Sequence, residues 1–125
     1  LGSLVTLRLH RNRIGDEGIK ALSSAISSRA LANCQRLSIA RNQISDAGMS
    51  TFAEALRNGA MASLQGLWLN ENQIADAGMI AFADALKSPM GALPSLQTLY
   101  VDDGALGTEH PQLRAACEAR GINLR

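Results

Sequence analysis

The chain has 125 residues, of which 46% are hydrophobic and only 3% aromatic, so its core must be built mainly from Leu, Ile, Ala and Met. Twelve basic and eleven acidic residues leave a net charge of +1, which gives no overall signal for nucleic acid or an anionic membrane. No signal peptide and no apolar run long enough to span a membrane is visible in the sequence.

A short motif recurs four times along the chain. It begins at Leu4, Cys34 and Leu64, and a degenerate copy begins at Leu96, so the starts are 30, 30 and 32 residues apart. A period of this length indicates a stack of similar supersecondary units. We therefore predict one domain over residues 1–125, with repeats 4–33, 34–63 and 64–95 and a degenerate C-terminal capping unit, 96–125.

The first repeat predicts a strand, a turn, a helix and a return loop. Apolar and polar residues alternate over residues 4–10, as in a half-buried strand, and apolar residues recur at helical spacing over residues 19–26. Aspartate is a favoured N-cap residue, and it stands near each predicted helix start. We expect three such caps, at Asp16, Asp46 and Asp76.

The spacing of the elements predicts a curved, two-layered stack. Parallel strands lie about 4.8 Å apart, whereas helices need about 8–10 Å between their axes. The strands should therefore line the concave side and the helices the convex side. Glycines at equivalent helix positions should let neighbouring helices approach closely; these are Gly18, Gly48 and Gly78.

Asparagine recurs just after each of the first three predicted strands, at Asn12, Asn42 and Asn72. A carboxamide both donates and accepts hydrogen bonds, so it can satisfy backbone groups buried in the adjoining turn. We predict a structural ladder and not a set of ligand-binding residues.

The last unit is interpreted as a cap. Its helix is predicted to begin at Thr108 or His110, with Pro111 in the first turn, and to stop at Gly121. Residues 122–124 then predict a short edge strand. The N-terminal side has no equivalent cap, so we expect more repeats or a partner before it, or self-association through that uncapped end.

The two cysteines, Cys34 and Cys117, lie far apart in the repeat pattern and are predicted to be buried apolar residues. Two such thiols do not form a disulfide framework. We therefore expect a reducing compartment, with the protein in the cytoplasm.

The spacing L-x-x-L-x-L-x-x-N-x-I, followed by D-x-G and an amphipathic helix, resembles the leucine-rich repeat over residues 1–107. The helical form of about 30 residues is similar to the ribonuclease-inhibitor type, as in ribonuclease inhibitors, NOD-like receptor arms and Ran GTPase-activating proteins. The resemblance implies a right-handed α/β solenoid, a horseshoe with a concave parallel sheet, that binds other proteins.

The outward positions of the strands form the candidate binding surface. The only tryptophan and the only tyrosine fall in one row on adjacent strands, and exposed aromatic residues are enriched at interface hot spots. Gly66 is predicted to leave room beside Trp68 for an inserted side chain. Alternatively, the two rings only pack on each other across the strands. The predicted contact residues are Trp68, Tyr100, Arg8, Arg36, Ser38, Gly66, Asn70, Arg41, Glu71 and Asp102.

Charge is unevenly distributed over this surface. The first two repeats supply Arg8, His10, Arg11, Arg13, Arg36 and Arg41, and the last two supply Glu71, Asp102 and Asp103. A groove with a positive and a negative end could orient a charged partner, although a solvated face of mixed charge accounts for the pattern equally well. Because no aromatic residues interleave with the arginines, RNA binding is not expected.

Catalysis finds little support in the sequence. His10 and His110 have no partner at motif spacing, and no metal, phosphate-binding or nucleophile motif occurs, so no cofactor is predicted. We predict a protein-binding module that is not an enzyme. The alternatives are a structural spacer in a longer solenoid and, by family analogy alone, an accessory segment of GTPase-activating type.

Overall fold

The computed structural model describes residues 6–9, 13–57, 61–87, 92–101 and 110–125. Within these ranges strands and helices alternate in the predicted order. The elements are β1 (Thr6–Arg8), α1 (Gly15–Ser27), β2 (Arg36–Ser38), α2 (Asp46–Leu56), β3 (Gly66–Trp68), α3 (Asp76–Leu86), β4 (Thr98–Tyr100), α4 (Pro111–Arg120) and β5 (Asn123–Leu124). Several predicted positions lie outside the described residues: Leu4, His10, Arg11, Asn12, Asp102, Asp103 and Thr108.

The strands form one parallel sheet in the order β1-β2-β3-β4-β5. Its central row is made of leucines in exact register along the stack, namely Leu7, Leu37, Leu67, Leu99 and Leu124. The sheet is open, and helices connect its neighbouring strands, as parallel pairing requires. The predicted α/β solenoid is confirmed.

The core lies between the sheet and the layer of helices. Leu37 and Leu67 enter it from the sheet, and Phe52 and Phe82 enter it from α2 and α3; all four are fully buried. Because each repeat can bury its apolar stripe only against the next, stability is distributed along the stack instead of residing in one centre.

Two glycines permit the close approach of neighbouring helices. A Cβ at Gly48 would overlap Asp16 Oδ1 and lie 2.9 Å from Ile19 Cγ2 on α1. A Cβ at Gly78 would lie 2.6 Å from Asp46 Oδ1 on α2. These two positions act as predicted, whereas a Cβ at Gly18 would meet Ile14 of its own repeat.

The prediction that the recurrent aspartates cap their own helices is wrong. Asp16 is the second residue of α1, and Asp46 and Asp76 are the first residues of α2 and α3, so each lies inside its helix. The N-cap positions are Ile14, Ser45 and Ala75, and none of them makes a side-chain cap hydrogen bond.

Each aspartate instead binds the start of the next helix. Asp16 Oδ1 accepts from Ser45 N at 2.9 Å, and Asp16 Oδ2 accepts from the Ser45 hydroxyl. Asp46 Oδ1 accepts from Ala75 N at 2.7 Å and from Gly78 N at 3.0 Å. The hydrogen bonds from Ser45 hold the pKa of Asp16 below its ordinary value of 3.8. The carboxylates therefore link successive repeats at the helix N-termini, where the macrodipole favours negative charge.

The third aspartate binds the histidine that starts the C-terminal helix. His110 is the N-cap of α4, and its Nδ1 accepts from Leu113 N at 3.4 Å. Its Nε2 therefore carries the hydrogen that faces Asp76 Oδ1 at 2.7 Å. Pro111 begins α4 and Gly121 ends it in the left-handed region at φ 68°, as predicted.

An arginine fastens α4 to the preceding repeat. Arg120 Nη1 donates to Leu86 O at 3.1 Å and to Ala92 O at 2.5 Å, and Nη2 donates to Leu93 O at 2.6 Å. One guanidinium thus satisfies three carbonyl groups around the end of α3 and the loop after it. These three hydrogen bonds hold α4 against the preceding repeat, where β5 pairs with β4.

Candidate partner-binding surface

The outward residues of the strands line up in the two rows that the spacing predicts. The pairing register places Arg8, Ser38, Trp68 and Tyr100 in the first row. The second row contains Thr6, Arg36, Gly66, Thr98 and Asn123. Because the intervening leucines face the core, both rows face the concave side.

The two aromatic residues of the first row stack on each other. The ring centroids of Trp68 and Tyr100 lie 4.6 Å apart, and the ring planes differ by 7°. Both side chains are half-buried. Such a pair contributes about 0.5–1.5 kcal/mol beyond its buried area. The stack fixes the orientation of the indole, which still lines a groove on the concave face.

The prediction that Gly66 leaves an open space beside Trp68 is wrong. Gly66 is buried, and a Cβ there would lie 3.0 Å from Trp68 Cζ3 and 3.1 Å from Cη2. The six-membered ring of the indole therefore lies over the Gly66 backbone. Covering that backbone removes apolar ring surface from water, so the bulky ring fills the gap that the missing side chain leaves.

A groove of about 580 Å³ runs over β1, β2 and β3. Most of the predicted contact residues line it, but Gly66 and Tyr100 do not, because the indole of Trp68 covers the first and stacks on the second. The lining residues are Thr6, Leu7, Arg8, Arg36, Ser38, Ala40, Arg41, Trp68, Asn70 and Glu71.

Two members of the predicted charge gradient form an ion pair with each other. Arg41 and Glu71 occupy equivalent positions in neighbouring repeats, and each side chain is 44% exposed. Both hold φ at 58°, in the left-handed region. The carboxylate of Glu71 raises the pKa of Arg41. Their charges cancel, so the net positive charge of the described groove residues comes from Arg8 and Arg36, which are exposed.

A buried acceptor without a partner lies in the same groove. Asn70 Oδ1 is shielded from solvent and has no hydrogen-bond partner among the described residues. A buried acceptor without a partner is unfavourable by about 1–3 kcal/mol. The sequence places Asn70 on the surface but gives no signal of this.

The described ladder asparagines, Asn42 and Asn72, form hydrogen bonds with backbone groups. Asn42 Nδ2 donates to Leu9 O at 2.7 Å and to Ala40 O at 3.1 Å, and Asn42 Oδ1 accepts from Ile14 N at 3.2 Å. Asn72 Oδ1 accepts from Asn42 N at 2.8 Å, which joins the two. These side chains hold the strand-to-helix turns and are engaged with protein groups.

The described part of the chain contains no group of three His, Cys, Asp or Glu side chains that could hold a metal ion. Likewise, none of its helices combines the length and apolarity needed to cross a bilayer.

The sequence model for the leucine-rich repeat matches residues 3–23, 35–53 and 60–83, about half of the chain. The chain belongs to the leucine-rich repeat family. Repeats of this family generally mediate protein–protein interaction and are typically non-enzymatic. A comparison with curated proteins found no match.

Proposed function

We propose that this leucine-rich repeat domain binds a partner protein on its concave face, at a site centred on Trp68 and Tyr100. The observation that carries the proposal is the stacked, half-buried aromatic pair in the outward row of the sheet. Tryptophan and tyrosine are the residues most enriched at interface hot spots. Because the stack already holds the indole in place, little side-chain entropy remains to be lost on binding.

The partner would cover the side of the indole that the stack leaves open. Tyr100 lies on β4 and covers one face of Trp68, so the opposite face points toward β2 and the groove. An apolar partner side chain seated there would gain about 25 cal/mol for each Å² of apolar surface that it removes from water. Ser38 and Asn70 supply polar contacts beside it.

The charged residues around the groove would guide encounter. Arg8 and Arg36 provide positive potential on β1 and β2, and the Arg41–Glu71 pair lies at the strand ends. Complementary potentials chiefly raise association rates and fix orientation. Asp102, outside the described residues, stays a prediction as a further contact.

We also infer that the repeats are of the ribonuclease-inhibitor type. The support is the 30-residue period of the first repeats together with helices of 13, 11 and 11 residues in α1, α2 and α3. A cytoplasmic, reducing location is part of the same proposal, and it is supported by two free and buried cysteines, Cys34 and Cys117.

The test is affinity capture with the intact chain, followed by measurement of Kd for the captured protein. Trp68→Ala should weaken binding by about 2 kcal/mol, roughly thirtyfold in Kd, as expected for a hot spot. The control variant is Lys20→Ala/Lys87→Ala. Lys20 is exposed on α1 and Lys87 is exposed directly after α3, so this variant should bind like wild type. Circular dichroism must show that each variant is folded at the assay temperature.

Unchanged affinity for folded Trp68→Ala would reject the site. The stack also fits the alternative of a structural spacer, in which the two rings serve only the sheet. Under that alternative no ligand would contact the concave face, and Trp68→Ala would lower stability alone. The comparison of affinity with stability in the same variant therefore separates the two functions.

A further inference from the structure

Two guanidinium groups in the concave groove, those of Arg8 and Arg36, are near enough to bind one anion together. Arg8 on β1 and Arg36 on β2 are both exposed and both line the groove. One strand spacing of about 4.8 Å and two residues of about 3.3 Å place their Cα atoms roughly 8 Å apart. Side chains of this length can converge on a carboxylate between them, and guanidinium groups bind carboxylates through paired hydrogen bonds.

Within the described residues, the only carboxylate that lines the groove is that of Glu71, and it is engaged by Arg41. Among the described residues, the part of the groove over β1 and β2 therefore carries only positive side chains, and an anionic ligand would complement them. The neighbouring Arg41–Glu71 ion pair would not compete strongly for that ligand, because it has no net charge.

An apolar wall and an unsatisfied acceptor adjoin this cationic end. The indole of Trp68 forms the wall on β3, and Ser38 lies between it and Arg8 in the same row. Asn70 Oδ1 is buried in the groove without a hydrogen-bond donor among the described residues. Turning the Asn70 side chain toward the groove would let a ligand N–H reach this oxygen and relieve the cost of the buried acceptor.

On the basis of the proposed function, we propose that the groove binds an extended acidic segment of the partner protein. One carboxylate lies between Arg8 and Arg36, and a neighbouring apolar side chain packs on Trp68. A peptide N–H donates to Asn70 Oδ1 after that side chain turns toward the groove. The distance from β1 to β3 is about 10 Å, which an extended peptide covers with about three residues.

A peptide fits this groove better than a nucleic acid strand. Single-stranded nucleic acids are held by several aromatic platforms that stack successive bases. Among the described lining residues Trp68 is the only aromatic one, and Tyr100 covers one of its two ring faces, so a single face is left for stacking.

The test uses two fluorescein-labelled peptide libraries of about eight residues, long enough to exceed the groove at about 3.3 Å per residue. The acidic library contains Asp, Glu, Phe, Leu, Gly and Ser, and the basic library replaces the acids by Lys and Arg. Peptides are selected on the immobilised intact chain, and the Kd of selected peptides is measured by fluorescence anisotropy. Oligouridine with the same label is the nucleic acid arm.

Acidic peptides that also contain Phe or Leu should be selected. Arg8→Glu/Arg36→Glu should weaken them at least ~tenfold, and added salt should weaken binding to wild type. Lys20→Glu/Lys87→Glu changes the net charge equally on the helical side and should change Kd by no more than ~twofold, since screening limits distant charges. The neutral pair Arg8→Gln/Arg36→Gln should fall between these, which guards against a folding defect in the reversed variant.

Several results would overturn the inference. These are selection of basic peptides, binding of neither library, equal losses in the concave and helical charge variants, or tight binding of oligouridine in place of acidic peptides. If any of these occurs while Trp68→Ala still weakens the captured partner, only the acidic segment is refuted. If Trp68→Ala leaves both partner and peptide binding unchanged, the proposed binding surface fails as well.

Discussion

Replacing the buried ladder residue Asn42 by alanine should destabilise the fold far more than replacing the groove residue Asn70. Asn42 is fully buried, and its carboxamide serves the backbone groups of Leu9, Ile14 and Ala40. Asn42→Ala removes these three hydrogen bonds and leaves their backbone partners, Leu9 O, Ile14 N and Ala40 O, in place. Asn70 Oδ1 has no partner to lose within the described chain.

The magnitude follows from the burial of the orphaned groups. Each buried donor or acceptor left unsatisfied costs about 1–3 kcal/mol. Ala40 is buried and would bear the full cost, whereas Leu9 and Ile14 are half-buried and can be reached by water. We therefore expect Asn42→Ala to cost about 3–5 kcal/mol, a large part of the roughly 5–15 kcal/mol typical of a domain. Asn70→Ala should stay within about 1 kcal/mol of wild type, because the lost packing is offset by removal of an unsatisfied acceptor.

Urea unfolding followed by far-UV circular dichroism measures both values by linear extrapolation. The slopes with urea must agree between variants, since a changed slope would indicate that the repeats no longer unfold together. A cost below about 1 kcal/mol for Asn42→Ala, or equal costs for the two variants, would refute the account of the ladder as a backbone-satisfying structure.

Three further predictions concern groups outside the groove. Ser45 depresses the pKa of Asp16 below 3.8, so this contact stabilises the fold above that pH and the stabilisation is lost as pH falls through the lower, folded value. Urea titrations should show Asp16→Asn losing less stability than wild type on acidification, and parallel losses would contradict the assignment. Arg120→Met leaves three carbonyl groups without their donor and should lower the free energy of unfolding in urea by about 2–4 kcal/mol. A decrease below about 1 kcal/mol would show that Arg120 does not hold α4 in place. Burial raises the pKa of Cys117 from 9.0 to about 11, so iodoacetamide should leave it unmodified in the native chain at pH 9.0 and alkylate it in urea; rapid native labelling would contradict its burial.

The solenoid could be predicted because apolar and polar residues recur at equivalent positions of each repeat. Leucines at every second position require a buried strand face, and the register of Leu37, Leu67 and Leu99 follows from the repeat spacing alone. Glycine at positions 48 and 78 likewise indicated close helix packing, since no other residue fits so near a neighbouring helix.

The contacts between repeats were harder to predict. Aspartate near a helix start has two possible partners, its own first turn or the next repeat, and composition does not distinguish them. The exact start of each helix decides the matter: Asp46 lies one position too far along the chain to serve as an N-cap. The role of Arg120 depends on where the loop after α3 turns, which no local pattern in the sequence specifies.

The rows of outward residues on the sheet could be predicted, but the contacts within them could not. Alternation along the strands placed Trp68 and Tyr100 together, and the structure adds the stack. The collapse of the indole onto Gly66 was missed because rotamer choice depends on three-dimensional packing. For the same reason, neither the Arg41–Glu71 pair nor the buried oxygen of Asn70 could be derived from spacing.

Titration of the captured partner into the intact chain, with tryptophan fluorescence as the readout, tests the central claim most directly. Trp68 is the only tryptophan of the chain, so a partner without tryptophan, or one whose tryptophan residues have been replaced, leaves a single reporter. If the partner covers the indole, the emission should shift to shorter wavelength, and quenching by iodide should fall in proportion to the bound fraction. Saturable binding with unchanged emission and unchanged quenching would show that the partner binds elsewhere.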